Sequence, residues 1–121
     1  MAATLSNQKT KTILVVDDES GTRELISLIL RQGGYAVLEA EDSDTAAKIH
    51  QRHRGEIDLL LTDVSLPGPS GCDLAAALRE SEPGLQVIYM SGLPEQEEYA
   101  PFLRKPFDIA ELLRQVKICV E

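Results

Sequence analysis

Cysteine is scarce in this sequence, and what there is carries no evident chemistry. Cys72 and Cys119 are the only two among 121 residues, and they form neither a redox pair motif nor a metal-ligand spacing. Both thiols are expected to be reduced, as small core or near-surface groups. Positive charge is also in deficit. The 12 Lys and Arg face 20 Asp and Glu, a net charge of −8. Phosphate contacts need clustered Lys and Arg, so direct nucleic-acid binding by this domain is not expected, although a partner could bind DNA. No segment approaches the roughly 18 apolar residues of a membrane span. The opening MAATLSNQKTK lacks the apolar run of a signal peptide. A cytoplasmic protein without a membrane partner is the expectation. Internal repeats, low-complexity runs and a P-loop are missing too.

What is present is an alternation of two periodicities. Short apolar runs read as strands at Thr12 to Val16, Tyr35 to Ala40, Ile57 to Thr62, Gln86 to Met90 and Phe102 to Arg104. Between them lie amphipathic stretches. Glu19 to Gln32 carries a broad apolar face of Leu25, Ile26, Leu28, Ile29 and Leu30, stopped by Gly33-Gly34 in a left-handed turn. Ser43 is expected to cap a helix to about Arg54, and Cys72 to Ser81 to place Leu74, Ala75 and Leu78 inward. Asp108 is expected to cap the last helix, with Glu111 completing a capping box and Ile109, Leu112, Leu113, Val116 and Val120 inward. Strands alternating with helices imply an α/β fold, a parallel sheet covered on both faces. The length suits one domain, expected over residues 12–121 after a frayed start at 1–11.

Open sheets of this kind bind ligands beyond the carboxyl ends of their strands. Those ends carry Asp17-Asp18-Glu19, Asp63, Ser91-Gly92 and Lys105-Pro106. Each alone reads as a loop or cap. Gathered at one edge, they form a pocket of carboxylates, a hydroxyl and an ammonium. Carboxylates a few ångströms apart repel by roughly several kcal/mol per pair at an effective dielectric near 20. A hard divalent cation removes that repulsion, and Mg²⁺ needs few protein carboxylates. Asp17 and Asp18 are the natural holders, with Asp63 giving a third oxygen.

Taken in order, VVDDES, LLLTDVSLPGPSG, VIYMSG and FLRKPF resemble the four signatures of the receiver domain of two-component response regulators, the CheY-like phosphoacceptor family. The resemblance covers about Ile13 to Val120. It implies a flavodoxin-like five-stranded parallel sheet of order 2-1-3-4-5. It also implies that Asp63 accepts a phosphoryl group from a sensor histidine kinase or histidine phosphotransfer protein. Asp17, Asp18, Asp63 and the backbone carbonyl of Ser65 would hold Mg²⁺. Ser91 would bond a phosphoryl oxygen, Lys105 would pair with Asp63 at rest, and Phe102 would change rotamer as Ser91 moves. Pro106 would follow a cis peptide bond. Such a domain is a switch acting on an output partner, and it catalyses only its own phosphorylation and dephosphorylation.

The sequence departs from the family between Ser91 and Lys105, where only residues 92–104 intervene and Pro94 and Pro101 restrict them. The helix usual between the fourth and fifth strands is expected to be absent or reduced to a turn. Glu95, Glu97 and Glu98 read as a solvated loop, His50 and His53 as a solvated helix face, and Tyr89 as core. Competing readings are a receiver-like interaction module that is not phosphorylated, the receiver of a hybrid histidine kinase, or an enzyme on the same fold. A haloacid-dehalogenase-type phosphatase would want an Asp where Ser65 stands. A flavodoxin would want a phosphate loop where Asp17 and Asp18 stand.

Overall fold

Leu and β-branched side chains fill the first and third strands, so both faces of each must be covered. The computed structural model describes residues 9–92 and 101–121. Its strands are Thr12–Val16 (β1), Ala36–Ala40 (β2), Leu59–Asp63 (β3), Gln86–Ser91 (β4) and Phe102–Arg104 (β5). Its helices are Ser20–Gln32 (α1), Ser43–Arg52 (α2), Gly71–Ser81 (α3) and Ile109–Val120 (α4). All strand pairs are parallel, in the order β2-β1-β3-β4-β5. The expected doubly wound sheet is therefore the fold.

Alternation along each strand divides the core. Ile13, Val15, Leu59, Leu61, Ile88, Met90 and Leu103 pack with Ile26 and Leu30 of α1 and with Leu112 and Val116 of α4. Leu14, Val16, Leu60 and Val87 face the other way, onto Ala46 of α2 and Leu74 and Leu78 of α3. No helix among the described residues is long and apolar enough to cross a membrane.

The expected left-handed turn after α1 is found, at Gly34 with φ 98°, following a right-handed Gly33 at φ −80°. Several local expectations are corrected. Asp42, not Ser43, caps α2 by accepting the Thr45 amide at 2.8 Å. Ser43 lies inside the helix and donates to the Pro69 carbonyl at 2.8 Å. Asp108 accepts the Glu111 amide, but the reciprocal box among the described residues is made at Ser70 and Asp73 on α3. Leu25, Leu28 and Ile109 are more than half exposed. The apolar arcs of α1 and α4 are wider than the sheet they cover, and Leu25 and Ile109 instead line an open groove. Tyr89 is half-buried against the α2–α3 side of the core. Burial pushes the Cys119 thiol up, in keeping with an inert group.

His50 is the larger surprise. It is 3% exposed, and its Nε2 meets Glu82 Oε1 at 2.9 Å, joining α2 to the end of α3. His53 is half-exposed beside Glu56. Replacing His50 by Ala is expected to cost about 2 kcal/mol, from lost packing and a deserted Glu82. A urea midpoint equal to wild type would contradict this. The expectation of a missing or one-turn helix between β4 and β5 falls on residues 93–100. These lie outside the described residues, as do Glu95, Glu97, Glu98 and residues 1–8.

Candidate functional site

Parallel strands all end at one edge, so residues far apart in sequence meet there. Asp17 follows β1, Asp63 closes β3, Ser91 closes β4 and Lys105 follows β5. The oxygens of Asp17, Asp18 and Asp63 lie within 4.8 Å of one another. Asp17 is fully buried, Asp63 nearly so, and Asp18 faces solvent.

Each buried acid is tied at both oxygens. Asp17 accepts the Glu19 amide at 3.0 Å through Oδ1 and Lys105 Nζ at 2.7 Å through Oδ2. Asp63 accepts the Ser65 amide at 3.0 Å through Oδ1 and Lys105 Nζ at 2.8 Å through Oδ2. Sequence reasoning paired Lys105 with Asp63 alone; the ammonium bridges both acids. Burial alone would depress its pKa, but the hydrogen bonds and charges of Asp17 and Asp63 outweigh that and hold it above the ordinary lysine value.

The backbone braces this edge. Lys105 N donates to Ser91 O at 2.8 Å, Val64 N to Met90 O at 2.8 Å and Gly71 N to Val64 O at 2.9 Å. The start of α3 thus lies directly on the Asp63 end of β3, and a Cβ on Gly71 would stand 2.1 Å from Asp63 O. Ser91 is buried, Phe102 half-buried and Ser65 exposed. The Lys105–Pro106 peptide is cis. Arg23, which sequence reasoning passed over, donates from Nη1 to Asp17 O at 2.8 Å. Its signal was a cation one turn into the helix that follows the acidic pair. A groove of about 850 Å³, lined by Leu25, Ile26, Ile29, Phe107 and Ile109, opens beside Lys105.

The donor set suits a hard cation. Three carboxylates and one ammonium leave two negative charges, which one divalent ion balances. The ligand atoms are oxygens, and the exposure of Asp18 leaves room for coordinated water.

The family model for the response regulator receiver domain matches residues 13–117. The phosphate regulon transcriptional regulatory protein PhoB of Pseudomonas aeruginosa is 34% identical over 88% of this chain and 50% of its own length. The sensor kinase CckA of Brucella abortus is 33% identical over 91% of this chain but only 12% of its own length. The chain therefore spans half or less of these relatives. Among solved structures, the receiver domain of the hybrid histidine kinase CckA superposes with a TM-score of 0.81 at 37% identity, covering 91% of this chain and 99% of that domain.

Proposed function

Because the chain belongs to the response regulator receiver domain family, we propose that it is a phosphorylatable, Mg²⁺-dependent switch of a two-component phosphorelay in the cytoplasm, with Asp63 as the acceptor. The observation that carries this reading is Lys105 Nζ held at 2.7 and 2.8 Å between Asp17 and Asp63 inside a cluster of three carboxylates.

An Asp63 carboxylate oxygen attacks the phosphorus of a phosphohistidine. The new O–P bond forms as the P–N bond breaks, and the released imidazole takes a proton from water. Asp17, Asp18, Asp63 and the Ser65 carbonyl would hold Mg²⁺, which would compensate charge on the phosphoryl oxygens. Lys105 exchanges its Asp63 contact for a phosphoryl oxygen, and the Ser91 hydroxyl donates to another. The aspartate monoanion becomes an acyl-phosphate dianion, and that added charge, spread over three phosphoryl oxygens at a nearly buried acid, is enough to draw both groups across and to reset the Ser91–Phe102 edge. The chain turns over no separate substrate. The apolar groove beside Lys105 supports a protein phosphodonor, because a partner presenting a phosphohistidine to Asp63 would cover it.

The test is intact mass after incubation with acetyl phosphate, for wild type and Asp63→Asn, with MgCl₂ or with EDTA. One added phosphoryl group, dependent on metal and lost in the variant, is the expected result. No adduct together with no effect of Mg²⁺ on melting would replace this reading with a constitutive interaction module.

A further inference from the structure

The β1 ladder stops at Val16, so the backbone of Asp17 must find partners beyond it. Its amide donates to Ala40 O at 3.2 Å. Its carbonyl accepts from Arg23 Nη1 at 2.8 Å. The same guanidinium donates from Nε to Glu39 Oε1 at 3.2 Å, and its side chain is 17% exposed. Glu39 adjoins Ala40 in β2, and its second oxygen lies 3.6 Å from Arg31 Nη2. One planar fork thus ties α1, the edge strand β2 and the turn that carries both acids.

We infer that Arg23 is a positioning residue: gripped by Glu39, it fixes the peptide between Asp17 and Asp18 and so sets the two carboxylates at the spacing a divalent cation needs. The inference rests on the Mg²⁺ reading above. Two features separate it from a plain surface ion pair. The guanidinium bonds the acidic turn through its backbone carbonyl, leaving both Asp17 carboxylate oxygens to Glu19 and Lys105. A cation alone beside the turn would compete with Mg²⁺; Glu39 offsets that charge, so the turn is held without the competition. Arginine presents two nitrogens, Nε and Nη1, fixed in one plane to the two acceptors, where a lysine has a single nitrogen on a flexible stem.

The charge-neutral double variant Arg23→Gln/Glu39→Gln isolates geometry from electrostatics, since it removes one charge of each sign. Mg²⁺ affinity is read from the Asp18 amide resonance during MgCl₂ titration, with the metal-free melting temperature alongside. About tenfold weaker Mg²⁺ binding than wild type is the expected result. Equal affinity in the two proteins, whatever the melting temperature, would overturn the positioning role and leave the switch intact. Absence of Mg²⁺ binding in wild type would remove the switch reading itself, and this inference with it. Should the double variant fail to fold, Arg23→Lys decides: it retains the charge and loses the fork, so about threefold weaker binding supports the inference and unchanged binding overturns it.

Discussion

Lys105→Met is expected to lower the metal-free melting temperature by about 8 °C and to make the protein depend on Mg²⁺ for much of its stability. An ammonium 2.7 and 2.8 Å from two carboxylates attracts each by about 6 kcal/mol at an effective dielectric of 20. The acids, up to 4.8 Å apart, repel by about 3 kcal/mol per pair on the same scale. Removing the lysine leaves only the repulsion, in a pocket where Asp17 is fully buried. Desolvation already offsets part of the attraction, and the lysine side chain is 22% exposed. The net loss is therefore about 2 kcal/mol, and for a chain of this size each kcal/mol moves melting by about 4 °C. Added Mg²⁺ should restore most of it. A variant that melts with wild type in EDTA would mean that the lysine bridge contributes nothing to stability. The same bridge has a pH signature. The folded pKa of Lys105 lies above its ordinary value of 10.5, so its stabilisation is fully present below that pH and is lost as pH rises through the folded value. Wild type should lose stability above pH 10.5 and converge on Lys105→Met.

Gly71→Ala should be the most damaging single methyl in the molecule, lowering stability by about 3 kcal/mol and melting by about 12 °C. The added carbon would lie 2.1 Å from Asp63 O, 2.9 Å from Asp63 C and 2.9 Å from Thr62 Oγ1. Two of these three atoms are backbone of a fully buried central strand, which has no room to retreat. Helix α3 must move away, and with it goes the Gly71 N–H bond to Val64. The strain falls on Asp63, the proposed acceptor, so phosphoryl uptake from acetyl phosphate should fall with stability. Gly84→Ala is the control, because nothing lies near its added carbon. Equal melting of the two variants would mean the close approach at Gly71 relaxes without cost.

The sheet was legible because its information is local. Four of the five apolar runs are followed or closed by a polar residue at the edge, and parallel order collects those ends in one place. Asp17, Asp18, Asp63 and Lys105 could therefore be assembled before any coordinate. What escaped depends on pairs distant in sequence. His50 stands among Arg52, His53 and Arg54 and looks solvated; its burial is set by Glu82, 32 residues on. Arg23 reads as one more charge on a helix until β2 brings Glu39 beside it, 16 residues away. Ile109 fits the helical period of the α4 core, yet it is the first residue of the helix and overhangs the groove. Pro67, Gly68, Pro69 and Gly71 read together as a loop and nothing more; the need for a bare Cα at Gly71 comes from β3 passing underneath.

The order β2-β1-β3-β4-β5 also sets a timetable for the chain as it leaves the ribosome. Strands β1 and β2 can pair as soon as residue 40 has emerged, and their acids then face solvent with no counter-charge from across the sheet. Asp63 joins them later and adds to the repulsion. Only when β5 has docked and Lys105 has reached between Asp17 and Asp63 is the cluster balanced. A nascent chain stalled before that point has its carboxylates but not its ammonium. The balanced pocket therefore forms only once residue 105 is in place, and a shorter nascent chain lacks it.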